Sequence, residues 1–474
     1  MSLATSGRAN HEVVTKGVRF LTDSARPDGC WPIDTNLATW VTTSAVNAVG
    51  AHTLATEQRD ALLTYLLESQ SRSVHPYTQA QPGGWGWSAL AGAVPDADDT
   101  SGALVALANL DSEGDATRHA AQAGIQWLLD LQNRDGGIPT FCRGWSNLLF
   151  DRSCPDITAH ALTAMHSWQD IITLPLHTPI TRAIHYLERT QHPDGYWIPL
   201  WFGNEGTLNK ENPTYGTGRV LTHLAKLPSI SDGLLTKALD WLLSIQHPSG
   251  GWGGNQGVTP SIEETAVAVD ALAEIHLHQP NRVDANLTEA LGHGVSWLIT
   301  HTKNGTHFPT TPIGLYFAQL WYYENLYPVV FALAALNKYK QILFSLKERN
   351  TPPMPKFVIH KHLKQDEPTH WDLMLEQGEG LTTYRLDLPP RDILSQPATA
   401  TPIADHDKRF LTYEGPVNQG LGKVRMVDSG TYEMHTHTET HKLLTLKGSI
   451  LSGEFELTVS QTQPGTLILQ RQSR

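Results

Sequence analysis

A helix-and-turn repeat runs through the first three-quarters of the chain and constrains its fold more than any other feature. Each copy pairs an aromatic residue with an aliphatic one, and most copies continue to a glutamine and end in a turn where glycine precedes an aromatic residue; the sixth copy is degenerate. Since the apolar positions have helical spacing and no helix pair buries its apolar face alone, we expect about six pairs to close into a ring. The predicted fold of this part is an all-α (α/α) toroid with an inner and an outer layer. The aromatic residues that open the copies are Phe20, Tyr65, Trp127, Tyr186, Trp241 and Trp297.

The second helix of each pair is rich in alanine, valine and leucine. We expect such helices over 100–110, 157–165, 218–227 and 264–275. The glutamine that precedes the turn, for example Gln191 or Gln246, is expected to hydrogen-bond the start of a neighbouring helix.

Composition limits the classes of protein that the chain can belong to. With 474 residues the chain is expected to form two or three domains. A formal net charge of −12 argues against a nucleic-acid-binding role, which usually requires a basic face. The three cysteines, Cys30, Cys142 and Cys154, form no CxxC pair, and the N-terminus has no apolar signal region. We therefore expect a cytoplasmic protein.

The composition changes near residue 347. The proline-rich segment 347–355 is expected to be a linker between a toroid over 1–346 and a second domain over 356–474. In the second domain, period-two stretches such as 382–386 and 454–459 alternate with glycine-containing turns. This pattern predicts a small all-β barrel.

Three carboxylates lie within four positions, Asp96, Asp98 and Asp99, just after a glycine- and tryptophan-rich segment. Like charges this close cannot all remain ionised in an apolar pocket, so at least one proton is expected to be held near neutral pH. A neutral carboxylic acid that faces an apolar cavity is what protonation of a carbon–carbon double bond requires. Taken alone, such a segment is more often an acidic loop or a calcium site.

The repeats and this segment together resemble the class II terpene cyclases, the squalene–hopene cyclase family, over about residues 10 to 342. Asp96-Ala97-Asp98-Asp99-Thr100 is similar to the DxDDT signature of that family, and Gly83-Gly84-Trp85-Gly86-Trp87 precedes it as expected. Pro155-Asp156-Ile157-Thr158-Ala159-His160 and Tyr215-Gly216-Thr217-Gly218 also fall in family order.

The resemblance implies a role for each polar residue. Asp98 would be the general acid, with Asp96 and Asp99 as its hydrogen-bonding neighbours. His160 would bond to the acid, Asp156 would orient His160 from one helical turn away, and Tyr215 would line the water route that restores the proton. No metal or other cofactor is implied for cyclisation, because the toroid contains no DDxxD motif.

Aromatic side chains are expected to line the substrate pocket and to stabilise a carbocation. Tyr316 and Leu320 stand where the family has phenylalanines in its last helix. The candidate substrate-binding residues are Trp85, Trp87, Trp145, Trp201, Phe202, Tyr316, Leu320 and Trp321.

These features predict proton-initiated cyclisation of an apolar or amphiphilic linear isoprenoid. Hopene-forming members have two helical domains and this chain has one, so we expect a compact substrate, such as a prenylated aromatic or another linear terpenoid. A squalene-type triterpene cyclase, a protein prenyltransferase-like toroid and a non-catalytic toroid are the alternatives. Peripheral membrane contact through residues 315–333 is a further expectation, and the oligomeric state is left open.

The second domain resembles the 3'-phosphoesterase domain of bacterial DNA ligase D over about 356–471. The resemblance implies that His362, His370 and Asp372 are ligands of a divalent metal. Met374 stands where a phosphate-binding arginine is expected, and Phe410 replaces a tyrosine. Without the arginine, phosphate binding should be weak, so phosphoesterase activity is not expected.

Overall fold

A computed structural model of the chain describes most of the two predicted regions. It divides the chain into two compact units, Met1–Leu346 and Lys347–Arg474. The described residues are 7–8, 10–25, 36–76, 78–90, 92–140, 149–228, 230–316, 320–350, 354–364, 368–417, 422–438 and 440–472.

The first unit is helical, and its described helices alternate between two layers. The helices are α1 (Glu12–Ser24), α2 (Ala38–Val49), α3 (Thr56–Ser69), α4 (Ala97–Asp111), α5 (Asp115–Leu131), α6 (Pro155–Trp168), α7 (His177–Thr190), α8 (Pro213–Leu224), α9 (Asp232–Ser244), α10 (Ile262–His278), α11 (Ala285–His301) and α12 (Tyr327–Asn350). The four helices expected from the alanine-rich stretches are α4, α6, α8 and α10. Each extends a few residues beyond its predicted bounds, apart from α8, which ends earlier.

The even-numbered helices form the inner ring. Helices α2, α4, α6, α8 and α10 pack against one another in succession. Helix α12 closes the ring, because Asn337 Nδ2 donates to Ala48 O of α2 and Lys338 Nζ lies 2.6 Å from Asp270 Oδ1 of α10. Helices α3, α5, α7, α9 and α11 form the outer layer. The predicted α/α toroid is confirmed.

The repeated residues brace the two layers at equivalent places. Gln191 Nε2 donates to Gly195 O in its own turn and to Leu234 O at the start of α9, at 2.9 and 3.0 Å. Gln70, Gln132 and Gln246 make the same pair of bonds. The predicted glutamine contact is therefore confirmed. A threonine in the first turn of each inner helix from α4 to α10 accepts a backbone N–H at the end of a repeat turn, and these threonines are Thr100, Thr158, Thr217 and Thr265.

Two short hairpins lie at the end of the toroid that carries the acidic segment. Strand β1 (Trp85–Gly86) pairs with β2 (Pro95–Asp96), and β3 (Gly314–Tyr316) pairs with β4 (Leu320–Tyr322). The expectation that Tyr316 and Leu320 lie in the last helix is wrong. Prolines and Gly314 precede these residues and disfavour helix, and α12 begins only at Tyr327 with Pro328 in its first turn.

One described helix meets the length and hydropathy of a membrane span. It is the segment Tyr327–Lys347 of α12, with a mean hydropathy of 1.2 and 28% of its window buried. Only length and composition support a membrane span here, and the core helix of a soluble protein meets the same criterion. The contacts of Asn337 and Lys338 place one face of this helix in the ring.

The second unit is an antiparallel β-barrel. Its described strands are β5 (Lys356–Lys364), β6 (His370–Gln377), β7 (Gly380–Leu386), β8 (Ala398–Asp407), β9 (Gly415–Val417), β10 (Gly422–His437), β11 (His441–Gly448), β12 (Ser452–Val459) and β13 (Leu467–Arg471), with the short helix α13 (Pro390–Ile393). Among them, eight strands close in the order β11-β12-β13-β8-β7-β6-β5-β10, with β10 pairing back to β11. The long strand β10 contains two register shifts, which let it bend from β5 to β11. The predicted barrel is confirmed.

Candidate active site and metal-ligand cluster

The three carboxylates lie at the start of inner helix α4. Asp96 is the N-cap residue, and its Oδ1 accepts the backbone N–H of Asp99 at 2.8 Å. The β1–β2 hairpin holds Asp96 opposite Trp85. Asp98 and Asp99 follow in the first helical turn, where the helix dipole favours negative charge.

Burial dominates the electrostatics of two of these carboxyls. It raises the pKa of Asp96 to about 7 and raises the pKa of Asp99 well above its usual value. The nearby charges of the other carboxylates act in the same direction. Burial therefore favours the protonated form of both Asp96 and Asp99, in line with the expectation that the segment holds a proton near neutral pH.

Asp98 has a different partner. Its Oδ1 lies 2.6 Å from Nδ1 of His160 on α6. The His160 ring in turn stacks on His223 of α8, with ring centroids 4.7 Å apart. Thr163 Oγ1 lies 3.0 Å from His223 Nδ1. Burial, together with the neighbouring His160 ring and nearby cationic side chains, lowers the pKa of His223 well below its usual value.

Asp156 does not act as expected. Its Oδ1 accepts a hydrogen bond from Cys154 Sγ at 2.7 Å, and no bond to His160 is formed among the described residues. Asp156 lies in the first turn of α6 and lines the same cavity as Asp98. Burial raises its pKa to about 6. The prediction that Asp156 orients His160 is therefore wrong.

A cavity of about 290 Å³ lies above the carboxylates. Asp96, Asp98 and Asp99 form one wall, and aromatic rings form much of the rest. Trp201 packs against Tyr316, with ring centroids 5.3 Å apart. The predicted substrate residues that line this cavity are Trp87, Trp201, Phe202 and Tyr316.

Other lining residues were not predicted. Trp40 and Tyr327 meet at the cavity because α12 closes the ring against α2, and Trp40 Nε1 donates to Tyr327 Oη at 3.0 Å. They are 287 positions apart in sequence, so no local sequence pattern predicts their contact. The remaining unpredicted lining residues are Leu37, Thr140, Ile157 and Tyr322.

Four predicted residues lie elsewhere. Trp85 is fully buried in the core, where its Nε1 donates to Leu66 O at 2.8 Å. Tyr215 is buried against Phe202, with ring centroids 3.8 Å apart, and is not among the residues lining this cavity. Leu320 is 55% exposed at the edge of β4, and Trp321 faces Lys210 instead of the cavity.

Trp145 lies outside the described residues.

A second cavity, of about 370 Å³, lies behind His160. His160 and His223 line it, together with Arg219 and Thr163. Charged groups complete its wall: Lys226 just after the end of α8, Asp270 of α10 and Lys338 of α12.

The barrel brings its three predicted metal ligands together. His362 of β5 lies opposite His370 of β6 in register, and His360 lies opposite Asp372. The ligand atoms of His362, His370 and Asp372 all lie within 4.8 Å of one another. His370 Nε2 and Asp372 Oδ1 are buried and make no hydrogen bond with the described residues. Two imidazoles and a carboxylate of this kind fit a divalent transition metal.

The surroundings of this cluster differ from the expected phosphate site. Met374 is 1% exposed and packs with Val358 and Leu381 against Phe410. On neighbouring strand β7, Arg385 Nε lies 3.5 Å from Asp372 Oδ1. Sequence reasoning missed this arginine because its contact depends on the β6–β7 register, in which Asp372 faces Arg385.

Comparison with known proteins identifies the class. Residues 34–341, more than half of the chain, match the squalene–hopene cyclase C-terminal domain. The chain therefore belongs to the squalene–hopene cyclase family. Residues 360–459 match the DNA ligase D 3'-phosphoesterase domain. Both resemblances seen in the sequence are confirmed.

Among individual relatives, the squalene–hopene cyclase of Bradyrhizobium diazoefficiens is 27% identical over 294 residues, which is 55% of this chain and 41% of that one. The probable squalene–hopene cyclase of Sinorhizobium fredii is 30% identical over 36% of this chain and 28% of its own. The chain thus spans less than half the length of these relatives.

Solved structures share the toroid fold. The ent-copalyl diphosphate synthase of Streptomyces platensis has a TM-score of 0.50 at 23% identity, covering 68% of this chain and 54% of that one. The type II terpene cyclase MstE from Scytonema has a TM-score of 0.50 at 17% identity, covering 69% of this chain and 96% of its own.

Proposed function

We propose that the toroid catalyses class II, proton-initiated cyclisation of a linear isoprenoid, with Asp98 as the general acid. The observation that carries this proposal is a single cavity that combines a carboxyl bonded to His160 with a wall of aromatic rings. Asp98 donates its proton to one carbon of a terminal double bond or to an epoxide oxygen. In the alkene case a C–H bond forms, and the neighbouring carbon becomes a cation that the next double bond attacks.

The other polar groups support this transfer. His160 hydrogen-bonds the Asp98 carboxylate that remains after donation and so stabilises it. Asp96 and Asp99 keep a proton between them and avoid placing two further charges beside Asp98. The faces of Trp87, Trp201 and Tyr316 stabilise cationic intermediates by about 0.5–2 kcal/mol each.

Cavity size bears on the substrate. A volume of about 290 Å³ lies at the lower end of the range for small-molecule sites. This favours a compact prenylated aromatic or other linear terpenoid over a six-isoprene triterpene. The alignment covers 96% of MstE, a type II terpene cyclase, which supports the proposal that a single toroid of this size can carry the activity.

The alternatives make different demands. A protein prenyltransferase needs a zinc-ligand set, and the described residues of the toroid contain no group of three such ligands within reach of one ion. A triterpene cyclase would need a larger pocket, and a non-catalytic toroid would not need the Asp98–His160 pair.

The experiment compares the wild type with Asp98→Asn on three probes: farnesylated hydroquinone, geranylgeraniol and squalene. We expect the wild type to form isomeric products with fewer double bonds from one of the first two, and Asp98→Asn to lose at least 100-fold in rate. Asp240→Asn, at an exposed carboxylate of α9, is the matched control and should cyclise normally. Equal cyclisation by Asp98→Asn would refute the acid assignment, and preference for squalene would refute the compact substrate.

For the barrel we propose divalent-metal binding by His362, His370 and Asp372 without phosphoesterase turnover. The three ligand atoms fit a metal, but buried Met374 replaces the expected arginine, and Arg385 is engaged with Asp372. Calorimetric titration with Mn²⁺ or Zn²⁺ should show one site that His370→Ala removes and that His435→Ala, an exposed histidine, retains. Hydrolysis of p-nitrophenyl phosphate by the wild type but not by His370→Ala would contradict the second half of the proposal.

For partners and location we propose an isoprenoid ligand, no nucleic acid, and a cytoplasmic protein with peripheral membrane contact near the mouth of the toroid. Leu320 and Leu326 are exposed apolar side chains in that region.

A further inference from the structure

Asp156 occupies on α6 the place that Asp98 occupies on α4. In both helices a threonine of the first turn accepts the backbone N–H at the end of a repeat turn, Thr100 in α4 and Thr158 in α6. Asp98 and Asp156 each lie two residues before that threonine, and both line the cavity above the carboxylates. The repeat therefore brings a second carboxyl group to the substrate cavity from the neighbouring inner helix.

Among the described carboxyl groups that line this cavity, Asp156 is the one suited to accept a proton. Burial favours the protonated forms of Asp96 and Asp99, and Asp98 is the proposed acid. Burial raises the pKa of Asp156 only to about 6, since a hydrogen bond from Cys154 stabilises its charged form. Asp156 is therefore mainly ionised at neutral pH. Carboxyl groups of one site whose surroundings favour different protonation states can serve as acid and base.

The Asp156 carboxylate is held in place. Cys154 Sγ donates to Asp156 Oδ1 at 2.7 Å, and burial raises the pKa of this fully buried thiol well above its usual value, so it remains a donor. Asp156 also lies in the first turn of α6, where the helix dipole favours negative charge. The side chain thus presents a fixed anion to a cation that forms in the cavity.

The spacing of the two helices limits where such a base can act. Helices α4 and α6 pack against each other, and packed helices lie about 8–10 Å apart, so equivalent side chains on them are separated by a similar distance. Reacting groups approach each other to about 3–3.5 Å, which leaves about 1–4 Å between the carbon that gains a proton and the carbon that loses one. One six-membered ring spans that distance, whereas two fused rings exceed it.

We propose that Asp156 is the base that ends the cyclisation and that the product is an alkene with one new ring. The inference rests on the proposed cyclase function. Once Asp98 has protonated the chain and the next double bond has closed the ring, a tertiary cation remains on that ring. Asp156 then removes a proton from a carbon next to the cationic carbon. That C–H bond breaks, its electron pair forms the new C=C bond, and an O–H bond forms on Asp156, which releases the proton to solvent after the product has left.

The test compares the products of variants at this position, with whichever of the three probes the wild type cyclises, in D₂O. Asp156→Asn removes the base but keeps the size of the side chain and an oxygen that can accept the Cys154 thiol. Asp156→Glu keeps a carboxylate and moves it by one methylene group. Asp240→Asn is the matched control at an exposed carboxylate. Mass spectrometry and NMR identify each product and count its deuterium atoms.

We expect the wild type and Asp240→Asn to release one alkene isomer with one new ring. Asp156→Asn should still consume the probe and incorporate deuterium, but the ratio of that isomer to all other products, including the alcohol formed by water capture, should fall at least about tenfold. Asp156→Glu should shift the position of the new double bond, and it decides the question alone if Asp156→Asn does not fold.

Three results would overturn the inference: an unchanged product ratio in both variants, a wild-type product with two or more new rings, or loss of deuterium incorporation in both variants, which would place Asp156 in initiation. If the wild type cyclises no probe, or if Asp98→Asn cyclises equally well, the proposed function itself fails, which is a separate outcome.

Discussion

The raised pKa of Asp96 makes a quantitative prediction about stability. Asp96→Asn removes the titrating group but keeps the helix cap, because asparagine accepts the Asp99 N–H as well as aspartate does. In the folded protein the pKa of Asp96 is about 7, against 3.8 for the ordinary side chain. The folded state therefore binds an extra proton between these two pH values.

The sign follows from the proton balance. Because the folded state binds more protons than the unfolded state, the contribution of Asp96 to the free energy of unfolding is fully present below about pH 4 and is lost as pH rises through about 7. Each pH unit changes this contribution by about 1.4 kcal/mol. From pH 5 to pH 7 the wild type should therefore lose about 2 kcal/mol of stability relative to Asp96→Asn, because the slope falls off as pH approaches the folded pKa; this is about 3 °C in Tm for a domain of this size.

The assay is thermal and urea unfolding of both proteins at pH 5, 6, 7 and 8, followed by tryptophan fluorescence. This signal reports on the toroid, because every tryptophan except Trp371 precedes Lys347. Asp240→Asn should show the same pH dependence as the wild type. If the stability of the wild type relative to Asp96→Asn stays constant from pH 5 to pH 8, or rises, the assignment of the retained proton is refuted.

Two further predictions concern the brace and the pocket. Gln191→Ala loses the hydrogen bonds to Gly195 O and Leu234 O, so it should lower the free energy of unfolding by about 1–3 kcal/mol. Gln126→Ala, at an exposed glutamine, should change it little, and urea unfolding measures both variants. Trp201→Leu removes an aromatic face from the cavity and should lower kcat about tenfold; it should lower stability as well, because Trp201 is buried and donates to Thr140 Oγ1. Trp85→Phe should lower stability by about 1–3 kcal/mol and leave kcat near wild type. A lower kcat for Trp85→Phe than for Trp201→Leu would contradict the placement of Trp201 beside the substrate.

The toroid could be predicted from sequence because its signals are local and repeated. The glutamine and the turn glycine recur, and in four described copies the glutamine donates to the carbonyl of that glycine. The helix starts at Ala97, Pro155 and Ile262 lie within three residues of the prediction for the same reason.

The pocket was predicted less well, since its walls come from ring closure. Trp40 and Tyr327 meet only because α12 packs against α2, and the β3–β4 hairpin moves Leu320 to the surface. Asp156 has helical spacing to His160, but Cys154 two residues earlier takes its carboxylate instead. Sequence spacing identifies which residues share a helix face. It does not determine with which of two nearby side chains a residue forms a hydrogen bond.

The central claim is that a carboxylic-acid proton starts the reaction, and one measurement tests it directly. The full chain is incubated in D₂O with the prenyl probe that it cyclises, and the product is analysed by mass spectrometry and NMR. Asp98 exchanges its proton with solvent, so the account predicts one non-exchangeable deuterium in each product molecule, on the carbon that was protonated, and no product from Asp98→Asn. A cyclised product without that deuterium would contradict the account.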